Sequence, residues 1–252
     1  MIRLLVLILA LCAPSALAQD ERIVLGLSET RVAITADFQG SQIMIYGAVQ
    51  RYSPEPEGNL GVIVTVSGPP TQVMVRKKER RVAIWINREK VRIGRAPSFY
   101  AVATSGPLNE VLSETDNLRY KIAIPRAIRA IGISAQAENA PTFVEALERI
   151  RTNEGLYAMQ EGAVRLTAGT LFRTDIQLPV NLTEGNYGVR VLLTRDGQVV
   201  DMFEDSIGVQ KAGIERFIHA LAHEQPLIYG LLSLVLAVVA GWGAAAAFRF
   251  VR

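Results

Sequence analysis

The sequence predicts a mainly β body followed by a single C-terminal membrane-spanning helix, and three patterns point to it. Short runs of β-branched residues separated by turn formers fill two stretches, Arg22 to about Val102 and Ala163 to Val209. One amphipathic helical pattern lies between them, from Thr142 to Gly155. An apolar run of twenty-three residues, Pro226 to Phe248, contains no Asp, Glu, Lys, Arg or His.

In the first stretch the expected strands are Ile23 to Leu27, Val32 to Thr35, Gln42 to Val49, Gly61 to Val66, Gln72 to Lys77 and Arg81 to Asn87. The separators Phe38-Gln39-Gly40-Ser41, Ser53-Pro54-Glu55-Pro56-Glu57-Gly58-Asn59 and Gly68-Pro69-Pro70 are rich in residues that turn or stop a strand. Lys77-Lys78-Glu79-Arg80 reads as a charged hairpin tip. Many short strands of this kind imply a sandwich of sheets.

In the middle, Thr142 and Glu145 have the spacing of a capping box. Phe143, Ala146, Leu147 and Ile150 then recur at helical spacing, and Gly155 is placed to end the helix. Pro107 to Ser113 and Pro125 to Ile131 are expected to form a turn or two of helix each. Thr170 to Leu178, Tyr187 to Thr194 and Val199 to Phe203 are the later strands. Arg195-Asp196-Gly197-Gln198 is a hairpin signal, because Asp-Gly tolerates the positive φ of a type I′ turn. The turn Glu184-Gly185-Asn186-Tyr187 resembles the sheet corner of immunoglobulin-like sandwiches, so the body is read as having immunoglobulin-like β-sandwich character, in one sandwich or two.

The termini set the expected topology. Met1 to Ala18 has Arg3, an apolar core from Leu4 to Leu11 and the small-x-small ending Ala16-Leu17-Ala18. It reads as a signal peptide cleaved before Gln19, with an uncleaved anchor as the alternative. A lipoprotein reading through Cys12 is disfavoured because Leu11, not a small residue, precedes the thiol. At about 1.5 Å per residue, Pro226 to Phe248 gives roughly 34 Å of helix, enough to cross a hydrocarbon core of about 30 Å. Arg249 and Arg252 follow at once and place the C-terminus in the cytoplasm by the positive-inside rule. The expected order is therefore signal peptide 1–18, N-terminal β region 19–104, mixed connector 105–160, C-terminal β region 161–211, juxtamembrane amphipathic segment 212–225, anchor 226–248 and tail 249–252. The inner membrane, with the body in the periplasm, is the expected location.

Charge excludes one class of function. Of 27 Lys and Arg, Arg3 leaves with the signal and Arg249 and Arg252 flank the anchor, so 24 remain against 24 Asp and Glu. An exported body of zero formal charge lacks the electrostatic motive for binding nucleic acid. Cys12 is the sole cysteine, so the mature chain has no disulfide framework or thiolate metal site. No G-x-S-x-G or phosphate-cradling glycine pattern is present, and no cofactor is expected.

Several segments together carry a resemblance. They include Phe38-x-Gly40-Ser41-x-Ile43-x-Ile45-x-Gly47-Ala48, Gly68-Pro69, Val75-Arg76-x-Lys78-x-Arg80, Ile84-Trp85-x-Asn87 and Pro97-Ser98-Phe99-Tyr100-Ala101. Further along stand Gly155-Leu156-Tyr157, Leu171-Phe172, Gly185-x-Tyr187, Phe217-Ile218, Gln225-Pro226 and Tyr229-Gly230. The chain resembles, over nearly its whole length, a family of alphaproteobacterial transmembrane proteins of uncharacterised function. The resemblance implies an exported domain with one anchor. The resemblance also implies a gene placed near sulfite-exporter-like permeases, which suggests an accessory role beside an integral-membrane partner without establishing one. The family assigns no catalytic or ligand residues.

Candidate sites follow from the residues. Residues 76–95 hold nine basic and two acidic side chains. Arg76, Lys77, Lys78, Arg80 and Arg81, with Arg88, Lys90, Arg92 and Arg95 beyond, could contact an anion, a partner or lipid headgroups, or simply blunt an exposed edge. Ala237, Gly241 and Ala244, with further small residues around them, offer a face on which another helix can pack, or belong to an ordinary Ala-rich span. His219 and His223, four apart beside Glu224, supply two metal ligands where a site needs three or four, so no metal is expected. Glu55 and Glu57 read as solvated carboxylates, and Trp85, Phe99, Tyr100, Tyr157 and Phe172 as core aromatics. The leading expectation is a non-enzymatic module working by contact. A subunit that binds or senses an anionic solute is the alternative.

Overall fold

The computed structural model describes residues 21–35, 38–52, 54–81, 83–128, 140–211 and 221–250. The expected signal peptide, Cys12, His219, most of the juxtamembrane segment and the last two tail residues lie outside the described residues.

Twelve strands and five helices are described over their full extent and follow in order. The strands before the helical region are β1 (Glu21–Leu27), β2 (Arg31–Ile34), β3 (Ser41–Arg51), β4 (Leu60–Ser67), β5 (Pro70–Arg81), β6 (Ile84–Pro97) and β7 (Tyr100–Thr104). Next come α1 (Leu108–Val111), α2 (Glu114–Tyr120), α3 (Ile124–Ala127) and α4 (Ala140–Asn153). The chain ends with β8 (Tyr157–Gln160), β9 (Arg165–Thr167), β10 (Leu171–Leu178), β11 (Gly185–Arg195), β12 (Gln198–Lys211) and α5 (Pro226–Phe250). The protein is mainly β with a C-terminal apolar helix, as its sequence indicates.

One sheet has the order β1-β3-β10-β9, the other β2-β12-β11-β4-β7-β8, and β5 and β6 form a separate two-stranded ribbon. Strands from both β-rich stretches interleave in both sheets. β10 pairs with β3, placing Phe172 opposite Gly47, and β11 pairs with β4, placing Val191 opposite Val64. The two sheets bury Ile43, Ile45 and Ile176 from one and Val64, Val191 and Ile207 from the other in a single hydrophobic cluster.

β4 is buried along its whole central run, Gly61 to Val66, which is why its sequence is near-continuously apolar, broken only by Thr65, instead of alternating. One face meets the first sheet's core. The other is covered by the helical segment, where Leu112, Ile122, Ile124, Phe143 and Leu147 join the same cluster. That segment is also the crossover that lets β8 run parallel to β7. Parallel pairing recurs between β2 and β12.

Local signals explain the element ends. Asp196 (φ 48°) and Gly197 (φ 80°) both adopt positive φ, the signature of the type I′ turn that joins β11 to β12. Gly155 (φ 72°) ends α4, and Leu156 N–H donates to Arg151 O at 2.8 Å, a Schellman-type closure. α4 begins at Ala140 with Pro141 in its first turn, so Thr142 lies inside the helix instead of capping it. α2 begins where Ser113 Oγ accepts from Asp116 N–H.

Three buried tyrosines tie layers together. Tyr187 Oη donates to Thr183 O at 2.7 Å, the four-residue reach of a tyrosine corner. Tyr100 Oη donates to Ile122 O at 2.8 Å and Tyr157 Oη to Pro97 O at 2.7 Å. Burial pushes the Tyr100 and Tyr157 phenols up to about 12, so both remain protonated donors. Phe99 and Phe172 are core residues as expected.

A charged cluster fastens the start of the described chain. Glu21 is only 5% exposed. Its Oε1 meets Arg51 Nε and Arg195 Nη2, each at 2.7 Å, and Arg195 Nε reaches Oε2 at 3.1 Å. Arg195 Nη1 donates to Pro56 O and Gly58 O, and Arg51 Nη2 to Gly169 O. Glu55 is half exposed and pairs with Arg51 at 3.2 Å. Burial alone would raise the Glu21 carboxyl, but the hydrogen bonds and charges of Arg195 and Arg51 outweigh it and hold the group below its ordinary value.

Candidate functional site

β5 and β6 are longer than the sequence suggests. β5 continues through Lys77, Lys78, Glu79 and Arg80 to Arg81, and Ala83 (φ 69°) lies in the turn before β6. The charged segment is therefore a strand arm, not a hairpin tip. The pairing runs on past a register shift at Lys77/Lys78, with Lys78 opposite Asn87, Arg80 opposite Trp85 and Arg81 opposite Ile84.

The ribbon has two unlike halves. Near the body Val75, Val91 and Ile93 are buried, and α4 packs against β5. An isolated two-stranded ribbon is marginal in water, so this packing supports it. Farther out Ile84, Trp85 and Ile86 are exposed, Trp85 at 67%. The expectation that Trp85 is a core residue is corrected here: the outer half of the ribbon extends past the layers that would cover it.

Between ribbon and helix lies a cavity of about 410 Å³. Val75, Phe143, Ala146 and Ile150 form its apolar part, and Arg76, Lys77, Lys78 and Arg149 its basic part. Of the five cations singled out in the sequence, Arg76, Lys77 and Lys78 line this cavity. Arg80 lies beyond it toward the ribbon's end, and Arg81 is placed by its backbone pairing alone. Arg149 is the residue that sequence reasoning missed. Its signal was the stripe Thr142, Ala146, Arg149 at helical spacing, but nothing local shows that β5 stands opposite.

Ile150 belongs to the expected apolar stripe of α4, yet it is 44% exposed. Phe143 and Leu147 on the same helix are buried, so the stripe meets protein at one side and open cavity at the other. Glu148 is raised above its ordinary value by burial and by the neighbouring Glu145.

The remaining candidates stay apart. Ala237, Gly241 and Ala244 recur along α5 at helical spacing, and a methyl group at Gly241 would meet nothing within 4 Å. His223 lies in the helical turn before α5. Among the described residues no group of three His, Cys, Asp or Glu is placed to hold a metal.

No curated protein matches the sequence. Among solved structures, the sporulation control protein Spo0M from Bacillus subtilis aligns with 11% identity and a TM-score of 0.26, covering 80% of this chain and 54% of that one. The chain thus spans about half the length of that protein. Among the described residues one helix, with its apolar window at Pro226–Gly243, is long and apolar enough to cross a membrane, and that window is exposed throughout. A family model described as "Putative transmembrane protein (Alph_Pro_TM)" matches residues 22–250, and the chain belongs to that family.

Proposed function

We propose that this protein is a non-enzymatic, membrane-anchored β-sandwich module of the cell envelope that acts as an accessory subunit of an integral-membrane partner, such as a transporter. The observation that carries this reading is the β5–β6 ribbon, which presents Ile84, Trp85 and Ile86 uncovered, with Arg80 opposite Trp85. Exposed aromatic and apolar side chains beside arginine are the composition of interface hot spots, and scattered solvent exposure does not account for three consecutive large apolar residues. Tethering by α5 keeps this arm at high local concentration beside the membrane, so modest contacts suffice. In this reading the body is periplasmic, the anchor spans the inner membrane and the C-terminus is cytoplasmic, while Ala237, Gly241 and Ala244 receive a partner helix.

Purification of the full chain in mild detergent tests the proposal. A stoichiometric integral-membrane protein should accompany the wild type and be lost from Trp85→Ser/Ile86→Ser, with weaker loss from Gly241→Leu. Retention of the same partner by the ribbon variant contradicts the ribbon's role. A reporter fused after Arg252 should be active on the cytoplasmic side.

A second reading, a subunit that binds an anionic solute, is favoured by the basic cavity between β5 and α4.

A further inference from the structure

We infer that the cavity between β5 and α4 binds an amphiphilic anion, a phosphate or carboxylate carried on a hydrocarbon chain. This deepens the anion-binding reading above and rests on it. The cavity's volume, about 410 Å³, lies within the roughly 300–1,000 Å³ typical of ligand sites, so there is room for more than a bare ion.

Two properties of the lining select the ligand class. The first is uncompensated charge. Arg76, Lys77, Lys78 and Arg149 line the cavity with no carboxylate among the lining residues. Among the described residues none of these four is in an ion pair, whereas Arg151, two residues along α4 from Arg149, pairs with Glu154 at 3.2 Å. Glu89 stands opposite Lys77 in the ribbon register without coming within ion-pair distance, and Glu145 and Glu148 on α4 do not line the cavity. Cations gathered against a wall of low polarity repel one another, and an anion placed between them relieves that repulsion.

The second property is uncovered apolar surface directly beside the charge. Val75 and Phe143 are buried at the cavity's base, and Ile150, on the same helical stripe, is left without cover. A small hydrated anion would satisfy the cations and leave Ile150 wet. A hydrocarbon chain attached to the anionic group covers it, and gains the burial that the helix stripe does not complete on its own. The chemistry fits either an anionic phospholipid or a soluble alkyl phosphate or carboxylate.

The test uses the full chain in phosphatidylcholine nanodiscs, titrated calorimetrically with octyl phosphate, inorganic phosphate and octanol, with empty nanodiscs as reference. Octyl phosphate should bind at least tenfold more tightly than either of the other probes. Lys77→Glu/Arg149→Glu should weaken octyl phosphate at least tenfold, and Ile150→Asn should weaken octyl phosphate while leaving inorganic phosphate unchanged. These positions are exposed, and matching circular dichroism spectra verify folding. Trp85→Ser should alter none of these affinities. Adding phosphatidylglycerol to the nanodisc identifies the source: octyl phosphate affinity falls as the lipid competes if the bilayer supplies the anion, and holds if the ligand is soluble. Equal binding of octyl phosphate and inorganic phosphate overturns the amphiphile and leaves the anion-binding reading standing. Binding of neither overturns both, and octyl phosphate binding that survives the double charge reversal overturns this site.

Discussion

β4 and the outer half of the β5–β6 ribbon are both strands rich in β-branched or aromatic residues, and they meet opposite fates. Ile63 and Val64 of β4 are fully buried between the first sheet and the helical layer, while Ile84 and Trp85 of β6 stand in the open. Residue type makes both segments strands, but the presence of opposing layers decides what each contributes. Burial turns the apolar surface of β4 into stability. The ribbon's end keeps its apolar surface available, which is the property a contact arm needs.

This contrast ranks the effects of substitution. Removing Glu21 should be most damaging, because two largely buried guanidiniums lose their buried counter-charge and keep only the half-exposed Glu55: Glu21→Ala is expected to cost about 3–5 kcal/mol. The same carboxylate gives a pH signature. Its folded pKa lies below the ordinary value of 4.5, so its contribution is fully present above that pH and is lost as pH falls through the lowered value. Urea titrations of the full chain followed by circular dichroism should therefore show wild-type stability declining more steeply on acidification than that of Glu21→Ala.

Ile63→Ala should come next, at about 2–5 kcal/mol from lost burial and a residual cavity. Gly47→Ala probes overpacking, since a Cβ there would run into the backbone oxygen of Val24 and approach the Phe172 ring to 2.5 Å; a loss of about 1–3 kcal/mol is expected by the same titration. The smallest effect belongs to the ribbon. Ile84→Ser and Trp85→Ser should change stability by no more than about 0.5 kcal/mol, as exposed positions do. A loss at Trp85 comparable with that at Ile63 would show that the ribbon's end is covered, and would erase the contrast.

What the sequence discloses follows the range of the interactions involved. The β11–β12 turn was legible because Asp196 and Gly197 encode it themselves, and α4 was legible from its apolar stripe and Gly155. The apolar run of α5 is equally local. Pairings that join distant residues had no such signal: β8 beside β7 and β2 beside β12 depend on how the crossover and the sheets close. The ribbon's length was hidden because Lys77 to Arg80 look like turn residues by charge, although a solvated strand tolerates them as well. The candidate site was half legible for the same reason. Arg76, Lys77 and Lys78 announce themselves as a cluster, whereas Arg149 joins them only after α4 packs on β5.

The most direct test of the contact reading is a photo-crosslinking amino acid placed at position 85 on the ribbon, and separately at position 24 on β1, where Val24 is also exposed. In intact membranes position 85 should give a discrete adduct to an integral-membrane protein and position 24 should give none. Equal crosslinking from both positions, or an adduct from position 24 alone, would contradict it.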